Sequence, residues 1–284
     1  MRVLLVGAGG FIGRPTQAAL QQAGHAVQTL QGRLDWRAAH QPEAWQPLLA
    51  GVDAVIYLPG TVRDRQDGQE GWLERLHHRA PAALGQACVA CGVRRFVLVS
   101  ALCAGDAAYA RSKRAGEQAL QALGAALELQ ILQPSLVLGA GGISSRQFEW
   151  LSRLPWLPLP PQLLRCQVQP LRVEDLAEAL VHALHAPAAA RPWQAVGPRA
   201  ATLAAWIAQR RAARGQAPAR ILRLPQGLVR ASARLGDALP FSSWSREALA
   251  LLEQDSVASS PAEAARFAAL LGHEPREPLQ GAWA

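Results

Sequence analysis

Arg2-Val3-Leu4-Leu5-Val6-Gly7-Ala8-Gly9-Gly10-Phe11-Ile12-Gly13 is an apolar run that breaks into glycines and leads into a helical pattern reaching about Ala23. The order of strand, glycine turn and helix decides the fold. Gly7 permits a tight turn, Gly10 lets backbone approach a pyrophosphate, and Gly13 lets a helix pack closely on a strand. Phosphate would sit at the helix N-terminus, with Phe11 and Ile12 on the turn beside it. The stretch reads as the opening unit of a doubly wound parallel α/β sheet that binds a dinucleotide.

After a turn at Gly24, residues 26–30 read as a second strand, whose end should inspect the adenosine ribose. An acidic side chain there would favour NAD. The chain instead has Gln31-Gly32-Arg33, which places Arg33 where it could meet a 2′-phosphate. This leans toward NADP, and Asp35 two residues later keeps NAD open. Leu34-Asp35-Trp36 follows too soon for a parallel neighbour, so one strand and one helix of the usual half are expected to be missing. Residues 41–50 are expected to form the remaining crossover helix. They lead to a strong strand at 53–58, and Leu58, Pro59 and Gly60 at its carboxyl end should line the cofactor cleft. A polar loop at 61–68 and a helical pattern at 72–91 lead to a strand ending at Ser100. A further strand at 129–133 is broken by Pro134. Five strands alternating with helices argue for a parallel sheet.

Tyr109-Ala110-Arg111-Ser112-Lys113 sets a phenol and an ammonium four residues apart, on one face of a helix. Lys113 is the sole lysine among 29 basic residues, and the chain has only two tyrosines. An ammonium can release a proton and a guanidinium cannot, so the surviving lysine is informative. The positive charge is expected to draw the phenol below its usual pKa of about 10, making Tyr109 a usable proton donor and acceptor. Ser100 ends a strand nine residues earlier, and its hydroxyl could polarise a carbonyl. The plainer reading is a helix that packs a tyrosine and solvates a lysine.

With 284 residues and half of them hydrophobic, the chain can bury a large core. It has no run of 18 apolar residues and opens on a strand, so a soluble, cytoplasmic protein is expected. Cys88 and Cys91 form a C-x-x-C late in a helix, where the dipole disfavours a thiolate; they read as packing. His182 and His185 also lie at a helix end, and no metal site is expected. Residues 1–140 should form the dinucleotide domain. Residues 141–284 should form a smaller, mostly helical substrate-side subdomain, with 166–188 returning to the first. Its proline-rich stretch 154–161 reads as a stiff loop in which Trp156 lines a pocket or plugs a gap. Helical patterns occupy 173–185, 202–214, 226–235, 245–253 and 261–271. Residues 191–234 hold nine arginines and no acid. Such a surface could meet a membrane or a protein partner, the plain alternative being a solvated face. Sparse aromatics and the lack of a nucleic-acid motif argue against nucleic acid.

Together these residues resemble the extended and atypical short-chain dehydrogenase/reductases, which include NAD(P)-dependent epimerases and dehydratases. The resemblance covers roughly residues 1–186. It rests on the glycine turn, on 53–60 as D-A-V-I-x-L-x-G, on Tyr109 to Lys113 with Glu117 as Y-x-x-S-K-x-x-x-E, on 132–139 as L-R-P-x-x-V-x-G, and on 170–180 as P-x-H-V-D-D-V-A-x-A-L. It implies that Tyr109 is the general acid/base, that Lys113 holds the nicotinamide ribose and lowers the Tyr109 pKa, and that Ser100 orients the carbonyl of a small-molecule substrate, with an apolar one allowed. Three features depart from the pattern: Ala101 follows Ser100, His77 or His78 replaces the asparagine of the preceding helix, and the stretch from Ser100 to Tyr109 is short. These features are closest to the branch containing the NAD(P)-binding accessory subunit of respiratory complex I. They leave open a non-catalytic NAD(P)H-binding scaffold or sensor.

Overall fold

The computed structural model describes residues 1–30, 34–64, 66–67, 70–238 and 244–278. Arg33, expected at the adenosine ribose, lies outside the described residues. Strand β1 (Arg2–Val6) runs through the glycine turn into helix α1 (Gly13–Gln22), followed by β2 (Ala26–Thr29) and β3 (Ala54–Tyr57). Then come α2 (Ala80–Ala90), β4 (Arg95–Val99), α3 (Ala108–Gln121) and β5 (Glu128–Pro134). The C-terminal half contributes α4 (Ile143–Arg153), α5 (Val173–Ala183), β6 (Trp193–Ala195) and α6 (Leu203–Ala213). It ends with α7 (Gln226–Ala238), α8 (Arg246–Leu251) and α9 (Pro261–Leu271). The central sheet is parallel throughout, in the order β2-β1-β3-β4-β5-β6. Its order steps from β1 across to β3 and onward, so the ligand crevice falls at the carboxyl ends of those strands. Among the described residues no strand lies beyond β2, in keeping with the expected missing strand.

Alternation along β1 explains why both faces are covered. Val3 and Leu5 point into a core shared with Leu20, Leu176, Leu180, Phe267 and Leu271, whereas Leu4 and Val6 face Trp45, Leu84, Phe96 and Leu120. Parallel strands apolar on both faces need helices on each. Helices α1, α5 and α9 cover one side, and α2 and α3 the other. The last helix thus returns to the sheet, and Arg276 just beyond it pairs with Glu178 of α5 at 3.0 Å. A second core around Leu157, Leu159, Trp206 and Ile207 forms beside the sheet.

Several elements differ from the sequence expectation. Residues 41–50 form two 3-10 turns, Pro42–Ala44 and Gln46–Leu48, instead of a crossover helix. Pro47 has no N–H to give a helical ladder, and the buried Trp45 indole is satisfied by the Ala39 carbonyl at 2.9 Å. The 72–91 helix is interrupted: Trp72–Glu74 is followed by a π turn over Arg75–Arg79 before α2 begins. The 154–161 loop contains a strand, Trp156–Leu159, parallel to Arg220–Arg223. Trp156 does not plug a gap: it is 49% exposed with the Arg220 guanidinium 5.1 Å from its ring. Strand β6 was not anticipated, being three residues long and embedded in an alanine- and proline-rich stretch. Among the described residues no helix is long and apolar enough to cross a membrane.

The close approach of α1 to the glycine turn gives a direct test. A Cβ on Gly13 would lie 2.1 Å from the Gly7 carbonyl oxygen, whereas one on Gly9 meets nothing within 4 Å. Gly13→Ala should lower unfolding free energy by about 2 kcal/mol or more in chemical denaturation, and Gly9→Ala by about 0.5 kcal/mol at most.

Candidate active site

The glycine turn is built backbone on backbone. Gly7 has φ +91°, where a side chain is disfavoured, and its carbonyl accepts from the Gly10 amide at 3.0 Å. A Cβ on Gly7 would come within 3.3 Å of Leu58 and Pro59, so the ends of β1 and β3 are in near contact. Ile12, at the N-cap of α1, supplies no capping side chain, and the first turn holds no acid. The Arg14 amide bonds the Gly10 carbonyl at 3.2 Å and Pro15 has no N–H, so among the first positions of α1 it is the Gly13 amide that is left to meet an anion. Phe11 packs against the turn after β5: a Cβ on Gly142 would lie 2.8 Å from its ring. Gly7, Gly10, Phe11, Ile12, Gly13, Leu58 and Pro59 thus lie together at the carboxyl ends of β1 and β3.

The neighbouring strand end brings in the second group. Lys113 reaches from α3 to donate from Nζ to the Val99 carbonyl at 3.1 Å, and a Cβ on Gly60 would lie 3.3 Å from that same nitrogen. One ammonium therefore touches the ends of both β3 and β4. Burial lowers the Lys113 pKa to about 8, against the opposing pull of Cys103 and Glu117. Tyr109 stands one turn earlier, its ring centroid 6.0 Å from Nζ and edge-on to His77 at 5.2 Å. The expectation that Lys113 draws the phenol down is corrected. Burial pushes Tyr109 above its ordinary value and Cys103 adds to the rise, while the ammonium is directed at the Val99 carbonyl. Ser100 is buried at the end of β4, and its hydroxyl has no hydrogen-bond partner among the described residues. Pro134 ends β5 alongside, its carbonyl accepting from the Leu102 amide at 2.9 Å.

The choice between His77 and His78 is settled by contacts. His78 turns outward to Glu74 at 2.7 Å, and His77 is buried. The Thr61 amide donates to His77 Nε2 at 3.1 Å, which leaves the proton on Nδ1 to donate to Ser112 Oγ at 2.8 Å. Ser112 in turn donates to the Tyr109 carbonyl at 2.8 Å. His77 therefore links the turn after β3 to the helix carrying Tyr109. Burial, with Lys113 second, holds its pKa down to about 2, so it remains neutral. The π turn makes this possible. Pro81 lacks the amide that would bond the His77 carbonyl, and that carbonyl lies so close to Gly116 of α3 that a Cβ there would be 1.9 Å from it.

Two contributors were missed in the sequence. Cys103 lies in the short loop between β4 and α3, near enough to Tyr109 and Lys113 for its charge to affect both, and burial raises its own pKa. Its position six residues before Tyr109 was the available signal. Glu247 had none. The N-cap of α3 is Ala107, which offers no side-chain acceptor, and the Glu247 carboxylate of α8 accepts the Tyr109 amide in its place. The same C-terminal segment pins the loop. Ser256 Oγ donates to the Leu102 carbonyl at 2.7 Å, and Gln254 packs where a Cβ on Gly105 would stand.

The fold recurs widely among solved structures. UDP-N-acetylglucosamine 4-epimerase from Bacillus cereus superposes with a TM-score of 0.68 at 15% identity, covering 98% of this chain and 94% of the other. RMD from Pseudomonas aeruginosa, solved with NADPH, gives 0.69 at 18%, covering 98% and 95%. UDP-glucose 4-epimerase from Thermus thermophilus, solved with NAD, gives 0.60 at 20%, covering 89% and 99%. No curated protein matches the sequence. A family model matches residues 3–196, which span the whole sheet from β1 to β6, and on that match the chain belongs to the NAD dependent epimerase/dehydratase family.

Proposed function

We propose that the protein is a cytoplasmic NAD(P)-dependent oxidoreductase of epimerase-like type, acting on a carbonyl or alcohol carbon of a small molecule. The observation that carries this is the burial of the sole lysine between two strand ends, one helical turn from Tyr109. The crevice suits a dinucleotide: Gly7, Gly10 and Gly13 let the turn fold tightly onto α1, the Gly13 amide at the helix start would be a donor to pyrophosphate, and Lys113 and Gly60 adjoin the place a nicotinamide ribose would take. A bound nicotinamide would supply or accept the hydride. Tyr109 would give its proton to the substrate oxygen in reduction and take it back in oxidation. With its pKa raised, the phenol remains protonated at neutral pH, which suits the reductive direction. Ser100, whose hydroxyl is free to donate, would hold the same oxygen. NADP is the proposed cofactor on account of Arg33. A nucleotide-binding sensor without turnover is the second reading, favoured by Ala101 and by the loop pinned through Ser256 and Gln254.

Lys113 should show opposite effects on stability and turnover. Its pKa falls from 10.5 to about 8, so below pH 8 the fold bears a buried charge. Between about 8 and 10.5 the native state releases its proton before the unfolded state does, and stability recovers. Lys113→Met should therefore be more stable than the parent by about 2–3 kcal/mol at pH 7, with the gap closing above pH 8. Reduction of aldehydes, ketones and quinones by NAD(P)H should be nearly lost in Lys113→Met, Lys113→Arg and Tyr109→Phe. A Tyr109→Phe variant at the parent rate would leave the sensor reading.

Cofactor choice is tested by fluorescence titration. NADPH should bind more tightly than NADH, and Arg33→Ala should remove the difference; equal affinities in the parent would defeat the NADP assignment.

Glu247 should act by capping. Glu247→Ala should cost about 1 kcal/mol and reduce kcat by loosening the first turn of α3. Adding Ala107→Asp supplies a local acceptor for the Tyr109 amide and should restore both thermal midpoint and kcat. If the double variant recovers neither, the carboxylate has another role.

A further inference from the structure

The nine arginines between Arg191 and Arg234 divide into two sets. Arg191 pairs with Glu263 at 2.6 Å, Arg199 with Glu277 at 2.7 Å and Arg210 with Glu149 at 2.9 Å, and Arg214 reaches the same Glu149. Arg211 is buried, with its guanidinium on the carbonyls of Ser152, Leu154 and Ala217. Those five are accounted for within the fold. Arg220 lies over Trp156, and Arg223, Arg230 and Arg234 have no hydrogen-bonding or ion-pair partner among the described residues. The remaining positive charge is thus concentrated on residues 220–234, where the chain has no acid of its own. Asp237 next to them is engaged by Arg246.

Four of the large exposed apolar side chains among the described residues, Ile221, Leu222, Leu228 and Leu235, lie in the same stretch. Helix α7 buries Val229, Ala233 and Gly236 on its inner face. Leu228 and Leu235 are nevertheless 61% and 69% exposed, and with the exposed Ala231 and Ala238 they fall at i, i+7, i+3 and i+10. At about 100° per residue these four form a second apolar stripe well off the buried one, with Arg230 and Arg234 along the side away from it. On the adjoining strand Ile221 and Leu222 are also about half exposed. A helix held in place by one apolar face does not need a second, and leucines at these exposures bury only a minor part of their surface in the fold.

We propose that α7 and the Arg220–Arg223 strand form a docking surface for an anionic lipid bilayer. Leu228 and Leu235 would enter the boundary between headgroups and acyl chains, and Arg223, Arg230 and Arg234 would meet lipid phosphates. A helix lying in the interface needs this combination of an apolar stripe and flanking cations without acids. A second copy of the chain fits less well, because a two-fold contact over the stripe would bring Arg230 and Arg234 close to their own equivalents. Nucleic acid would leave the leucines exposed to water.

The experiment is cosedimentation of the full chain with vesicles of pure phosphatidylcholine and with vesicles containing about one-third phosphatidylglycerol. Binding should be confined to the anionic vesicles and should weaken with salt. Each of Arg230→Gln and Arg234→Gln should reduce affinity by about fivefold, corresponding to one cation near a charged surface. Leu228→Glu combined with Leu235→Glu should abolish binding, with an unchanged thermal midpoint showing that the fold is intact. Binding to neither vesicle, equal binding to both, or binding unaffected by the leucine substitutions would overturn the proposal. Sedimentation velocity covers the remaining case: a concentration-dependent dimer lost with Leu228→Glu would assign the stripe to self-association instead.

Discussion

The bond from Lys113 Nζ to the Val99 carbonyl is the contact around which the crevice is arranged. A buried ammonium costs stability, and the cost is lessened where its protons find acceptors; this one donates to a carbonyl at the end of β4. Meeting that need brings α3 against the strand ends, where a side chain on Gly60 of the β3 turn would crowd Nζ, its Cβ standing 3.3 Å away. Tyr109 is carried along on the same helix. Three elements distant in sequence are thereby positioned through one nitrogen.

The remaining supports of α3 follow from how closely it must lie. Gly116 leaves room for the His77 carbonyl, which Pro81 has released from the helical ladder, and the His77 ring bridges the Thr61 amide to Ser112. A neutral imidazole can do this because it donates with one nitrogen and accepts with the other. Burial beside a lysine keeps it neutral. Tyr57, on β3, donates its hydroxyl to the Leu76 carbonyl at 2.8 Å, fastening the π turn from the other side. The irregular helix is thus held at both faces, as expected of a distortion that positions something.

Much of this was legible in sequence, for reasons that differ by residue. The glycine turn could be read because its demands are local: strand, turn and helix are adjacent, and a missing Cβ is visible in the letter itself. The sole lysine stood out by composition. Residues 41–50 misled because a helical pattern of apolar residues says nothing about Pro47, whose missing amide rules out the ladder. His77 and His78 could not be separated, since which of two adjacent side chains turns inward depends on the π turn. Glu247 was out of reach altogether. A carboxylate capping a helix 138 residues away leaves no spacing to recognise.

That long-range cap also bears on how the two halves of the molecule depend on each other. The N-terminus of α3 has no local acceptor, so its first turn is completed only when α8 is in place. Helix α8 in turn packs Leu249 against Val229 and Ala233 of α7, and Arg63, just beyond β3, donates to the Asp237 carbonyl at the end of α7. Displacement of α7 or α8 therefore loosens both the turn that follows β3 and the turn that carries Tyr109. The C-terminal helices complete hydrogen bonds that the N-terminal half leaves open, so the geometry around Tyr109 is a property of the whole chain.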